Sequence, residues 1–270
     1  MAEELEEAEL DEEVPEEYEA DPMIAPASDG LISAYFFVGL TLTQYRLGRL
    51  LDADAFEATV EELLQANEAF VLTGTMEPAE IGERLTAEPE AEFIRQMKLT
   101  DEVGEYDVYT PVENDDDAAI AVDSNALVVV IGDDEEDEAD EDDPLTMLET
   151  TIGAFAGDVD RATDESEAFE WLVGTAGHGD VAVGQYGGPF DTEELRHPAF
   201  EELEDAEGIV SSLAVEDEET LTGDFAAILD DPDEEALDEL LGASADEQSV
   251  DVDEDRVTAT ATWREEVRYE

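Results

Sequence analysis

Ala118-Ala119-Ile120-Ala121-Val122, followed by Asp123-Ser124-Asn125 and then Leu127-Val128-Val129-Val130-Ile131, is the stretch from which the fold is read. Two apolar runs flank three residues whose short polar side chains satisfy backbone groups locally, and that predicts an antiparallel hairpin. Five consecutive large aliphatics in the second run suit a central strand covered on both faces. Beyond the hairpin, residues 133–143 hold ten acids in eleven positions and predict a solvated loop. A helix is expected over residues 144–155, with Asp143 as N-cap and Pro144 at the first helical position. Upstream, residues 70–74 read as a strand, Pro78 opens a short helix carrying Ile81 and Leu85, and residues 93–99 and 106–109 read as imperfectly alternating strands.

Downstream the same vocabulary returns. A helix is expected over residues 165–175, where Asp164 and Glu167 have capping-box spacing, then a strand over 181–183 and a helix over 192–203. Residues 209–215 alternate, turn at 216–219 and pair with 221–228. Asp231 and Pro232 start a helix bearing Leu237, Leu240 and Leu241 and stopped by Gly242. Residues 249–252 precede Val257-Thr258-Ala259-Thr260-Ala261-Thr262-Trp263, a period-2 strand with threonines on its outer face.

Near the N-terminus, residues 31–51 are apolar around most of a helical circumference, which predicts a well-buried helix. Asp54 is expected to cap a second helix with Phe56, Val60, Leu63 and Leu64 on one stripe. The expected fold is therefore α+β, with antiparallel sheets, helices on one face, and a preceding helical hairpin. Its divisions are an acidic disordered tail over 1–29, the helical hairpin over 30–67, one α+β lobe over 68–175 and a second over 176–270. The order hairpin, Asp-Pro, helix, Gly-Ala occurs twice, ending at Gly153-Ala154 and at Gly242-Ala243. A duplication would produce this order, and so would chance in a chain biased to Ala, Asp and Glu; the residues leave both open.

Composition bounds the function. The chain has 270 residues, 81 Asp plus Glu, 10 Lys plus Arg and a formal net charge of −71. Lys98 is the only lysine. Such self-repulsion strains a compact state in dilute buffer, and molar salt, with a Debye length of roughly 3 Å, screens it. The composition resembles that of uncharacterised acidic proteins of halophilic archaea, a resemblance that covers the whole chain and implies a salt-filled cytoplasm without implying an activity. At 42% hydrophobic residues with periodic segments, the chain is not the apolar-poor kind that stays unfolded. No cysteine is present, so disulfides, Cys-ligated metals and thiol chemistry are excluded. The acidic start Met1-Ala2-Glu3-Glu4-Leu5 is unlike a secretory signal, and the longest apolar stretch, residues 31–42, is short for a bilayer; a cytoplasmic protein without membrane contact is expected. Scattered basic residues in a strongly negative field argue against nucleic-acid binding.

Carboxylate pairs carry little information among 81 acids. Asp251-x-Asp253-x-Asp255 imitates a calcium loop, but Arg256 stands where glycine is required and Thr262 where a bidentate Glu is required. The two histidines are the rarest polar groups. His178 lies in Gly177-His178-Gly179-Asp180, and His197 precedes Pro198. Together with Asp180 and with Tyr186, in the turn-like Tyr186-Gly187-Gly188-Pro189-Phe190, they form the weak ligand-binding set. Residues 174–188 lack both the P-loop Lys-Ser/Thr and the dinucleotide glycine order. No catalytic residue, metal site or cofactor is expected. Three readings follow: a non-catalytic protein acting by protein or small-ligand contact, a hydrolase or metal-dependent enzyme at His178, Asp180 and His197, or a self-associating protein whose 31–51 helix packs on a second copy, for which an exposed apolar face would speak.

Overall fold

The computed structural model describes residues 18, 20–52, 55–66, 69–91, 93–112, 118–132, 143–187, 200–217 and 219–264. The acidic insert over 133–142, His197 and most of the helix expected over 192–203 lie outside them. Among the described residues, six α-helices and two antiparallel sheets make an α+β protein with an N-terminal helix. The chain divides into two compact units, Ala34–Arg161 and the remainder on both sides of it. Helix α1 (Ala25–Gln44) contributes to both.

The first unit is built on a six-stranded sheet of order β1-β2-β6-β5-β4-β3. Its strands are β1 (Thr59–Ala66), β2 (Ala69–Thr75), β3 (Met97–Val103), β4 (Tyr106–Pro111), β5 (Ala118–Val122) and β6 (Ala126–Ile131). The β5–β6 hairpin forms as expected, with Ile120 opposite Val129. Asp123 makes the turn, its Oδ1 accepting from the backbone N–H of Asn125 and of Ala126, each at 2.7 Å. Alternate residues of β5 and β6 feed two layers. Ile120, Val122, Leu127 and Val129 join the end of α1, through Val38 and Leu42, and helix α2 (Pro78–Thr86), through Ile81 and Leu85. Ala119, Ala121, Val128 and Val130 face helix α3 (Pro144–Ala156), through Leu148 and Ile152. Asp143 caps α3 as expected, accepting from Thr146 N–H at 3.1 Å. Gly82 lets α2 approach β4: a Cβ there would lie 2.4 Å from the Tyr109 hydroxyl oxygen, and the ring would have to shift.

The second unit carries a five-stranded sheet of order β10-β11-β9-β8-β7. Its strands are β7 (Val181–Tyr186), β8 (Ala206–Asp217), β9 (Thr220–Leu229), β10 (Glu247–Asp253) and β11 (Arg256–Arg264). Helices α4 (Ala162–Glu165) and α5 (Glu167–Ala176) precede β7, and α6 (Glu234–Leu240) precedes β10. On one face Val257, Ala259, Ala261 and Trp263 of β11 pack with Phe225, with Leu237 and Leu241, and with Met23 and Ala27. On the other, Leu172 and Ala176 of α5 cover Val210, Ala226 and Ile228. Arg256 lies over the Trp171 ring at 4.7 Å.

Several expectations are corrected. The second helix of the expected hairpin is β1, because Thr59 to Ala66 pair with β2, with one register shift between Val60 and Glu62, and so satisfy their backbone in a ladder; Leu63 and Leu64 lie exposed on this edge strand. Helices cover both faces of each sheet rather than one, since β5 and β6 are apolar on both sides. The first lobe ends at Arg161 instead of 175, because α5 packs on the second sheet. Ser166, not Asp164, caps α5, its Oγ accepting from Phe169 N–H. Asp233, not Asp231, caps α6, its Oδ1 accepting from the N–H groups of Glu235 and Ala236. The two hairpin–helix units also pack differently: α3 lies on its own hairpin, whereas α6 lies beside β10.

Residues 20–29, expected to belong to the disordered tail, are part of the second unit. Asp21 and Met23 are fully buried. Asp21 Oδ1 accepts from the N–H of Met23 at 3.0 Å and of Gly242 at 3.2 Å; its Oδ2 accepts from Ser244 N–H at 3.0 Å and Ser244 Oγ at 2.6 Å. Ser244 Oγ in turn accepts from Trp263 Nε1 at 2.9 Å. A buried carboxylate needs such partners, and four donors supply them. Helix α1 follows directly, and at Gly30 it approaches β7 so closely that a Cβ would stand 2.7 Å from Val183 Cγ2.

Candidate functional site

The weak ligand set from the sequence splits along β7. His178 and Asp180 stand before the strand, Tyr186 at its end, so about six residues of extended chain, roughly 20 Å, separate them. His178 is exposed in the link from α5. Asp180 Oδ2 accepts the Val215 N–H at 2.7 Å, which occupies the carboxylate in tying β7 to the neighbouring strand. No arrangement of three His, Asp or Glu side chains suited to a metal ion occurs among the described residues.

Tyr186 belongs to a local relay. Its hydroxyl donates to Glu207 Oε1 at 3.2 Å and lies 2.8 Å from Ser166 Oγ, which itself accepts from Phe169 N–H. The Phe169 and Tyr186 rings meet at 5.3 Å. Each hydroxyl is thus engaged in capping α5 and fixing it to the edge of the second sheet. This is a joint, with no nucleophile left unpaired.

Helix α1 presents a different kind of site. Its early side chains are rooted in one core by Ala27 and its later ones in the other by Val38 and Leu42. Between and around these anchors Leu31, Ile32, Tyr35, Phe36, Phe37 and Leu40 are exposed, Ile32 at 63% and Phe36 at 60%. The expectation of a well-buried helix over 31–51 is therefore corrected. The helix ends at Gln44, and the buried residues that follow, Tyr45, Leu47 and Leu50, lie in turns. Arg46 is half-buried and donates to the Glu88 carbonyl, whereas Arg49 is exposed and pairs with Asp52.

Ile32, Tyr35, Phe36, Gly39, Leu40 and Thr43 follow i, i+3, i+4, i+7, i+8 and i+11 spacing and so share a stripe. In the middle, Gly39 leaves the helix backbone open, with nothing within 4 Å of where a Cβ would stand. From Gly30 to Tyr45 sixteen residues carry no charge, in a chain of which 34% is charged. That contrast was the available sequence signal. An apolar circumference alone does not tell a core helix from an exposed one. Other exposed apolar residues, such as Phe93, Phe155 and Val215, are scattered singly, as on most proteins.

No family model matches the chain, and no curated protein does. Among solved structures, crystal form III of TP0453 is similar at 14% identity over 73% of this chain and 70% of that one, with a TM-score of 0.43. Crystal form I of TP0453 gives a TM-score of 0.41 over the same shares.

Proposed function

We propose that this is a non-catalytic, cytoplasmic protein of a salt-adapted cell that acts by apolar contact through helix α1. The observation that carries the reading is the exposed, uncharged α1 face in a chain with net charge −71. Exposing half-buried aromatic and aliphatic side chains costs solvation free energy, about 25 cal/mol per Å2 of apolar surface, and this cost grows at the molar salt to which the composition is suited. A contiguous patch of this kind marks a contact surface. The catalytic alternative at His178, Asp180 and His197 has no observation in its favour among the described residues, which do not include His197. The acidic remainder of the surface keeps the protein hydrated and repels polyanions, so association is confined to the uncharged helix.

Photo-crosslinking tests this. A benzophenone side chain introduced at position 36 should yield intermolecular protein adducts in cytoplasmic extract at molar KCl, and one at exposed Glu83 should not. Equal yields from the two positions, or only intramolecular products from position 36, would sink the reading.

A further inference from the structure

We propose that β3 is a closed edge, the element that stops the first sheet from growing by strand pairing between copies of this chain. Among the described residues no strand lies beyond β3 at one end of the sheet or beyond β1 at the other. A bare edge offers a row of N–H and C=O groups to any further strand. Pairing of β1 on one copy with β3 on the next would be head-to-tail and would propagate without closing. Closing one of the two edges is enough to prevent it.

The open edge is β1. After one irregularity between Val60 and Glu62 it pairs regularly from Glu62 to Ala66, and it exposes Leu63 and Leu64. Strand β3 is interrupted at its midpoint instead. Leu99 stands opposite Tyr109 and Asp101 opposite Val108, so Thr100 is an extra residue with three paired positions on either side. Thr100 Oγ1 donates to the Val108 carbonyl at 3.3 Å, which ties the bulge to β4 through a side chain. Asp101 Oδ1 accepts the N–H of Glu102 at 2.8 Å, so the strand's own carboxylate engages a donor that a further strand would need. Lys98, the only lysine of the chain, lies exposed two residues before the bulge. A long charged side chain at that place stays hydrated and resists burial under an added strand.

The charge of the chain explains why the block is built into the backbone. In dilute buffer a net charge of −71 holds copies apart. At molar salt the Debye length is roughly 3 Å, so repulsion no longer reaches between chains and pairing has to be stopped at contact. This step rests on the salt-adapted part of the reading above; the closure itself does not involve α1.

Sedimentation velocity of the full chain in molar KCl tests the proposal. Deleting Thr100 together with Lys98→Thr and Asp101→Thr straightens and opens the edge. The opened chain, with circular dichroism like that of the wild type, should associate into a ladder of larger species. Its association constant should exceed that of the wild type at least about tenfold, the worth of one or two net ladder hydrogen bonds. Adding Leu64→Asp, at an exposed position of β1, should return it to wild-type sedimentation. An opened chain that sediments like the wild type overturns the proposal, and so does association that Leu64→Asp leaves in place. If the deletion unfolds the chain, Lys98→Thr with Asp101→Thr and the bulge retained decides: it should still raise association, and no rise refutes the closure. Helix α1 is unaltered in every variant, so the contact reading of that helix stands or falls separately.

Discussion

The two sheets solve burial in different ways. In the first, β5 and β6 are buried on both faces, so consecutive residues such as Val128 and Val129 serve opposite layers. In the second, only β9 is buried on both faces, from Phe225 to Leu229, and β11 beside it alternates: Val257, Ala259, Ala261 and Trp263 are buried, and Thr260 is exposed. The outer layer there is thin, with α5 supplying only Leu172 and Ala176 as buried residues. A doubly covered strand has no harmless position, whereas a singly weighted one declares its inner face in its sequence. The first unit should therefore hold together under conditions that release the second.

Salt should expose this difference most strongly. Net charge −71 predicts unfolding in low-salt buffer and cooperative folding in 2–3 M KCl. Both tryptophans, Trp171 and Trp263, belong to the second unit, so their fluorescence reports on it alone, while far-UV circular dichroism reports on both. On lowering KCl the fluorescence transition should come first. Coincident transitions would erase the distinction, and a melting temperature that ignores salt would refute the charge argument itself.

Within the second unit, Trp263→Ala should cost about 3–5 kcal/mol in denaturant melts at high salt, because it empties a core position and removes the donor to Ser244. A loss below ~1 kcal/mol would mean that the strand's inner face is solvated.

Asp21→Ala should cost about 2–3 kcal/mol, as it strands the N–H groups of Met23, Gly242 and Ser244. The loss should appear in tryptophan fluorescence and leave the first unit's transition in place. An unchanged midpoint would return residues 20–29 to the tail, and deleting residues 1–29 would then be harmless too.

Finely, Val128→Thr and Val129→Thr should each cost about 1–3 kcal/mol, since either face of β6 buries an added hydroxyl. Thr260→Val on β11 should stay within about 0.5 kcal/mol. If one of the two β6 variants proved neutral, that strand would be one-sided, and the comparison between the sheets would reduce to strand number.

Much of this was legible in the residues. The β5–β6 hairpin with its Asp123 turn and the Asp143 cap follow from side chain to backbone chemistry within a few positions, α2 from Pro78 at its first turn, and β11 from its period of two. The weak site set was legible only as residue types; β7 spaces His178 and Asp180 away from Tyr186, and Asp180 serves the backbone of Val215.

What the chain determined by itself, then, is the α+β class, the central hairpins, the Asp143 cap and a net charge of −71. Tertiary structure alone decided three things. Residues 59–66 became β1 because β2 offered a ladder for a stretch whose apolar spacing also suits a helix. Asp21 was drawn inward because Gly242 and Ser244, more than 200 positions away, present donors to it. Helix α1 was left half uncovered because the layers of each core close over only its anchoring residues, and no local property of an all-apolar helix says how much of it a core will cover.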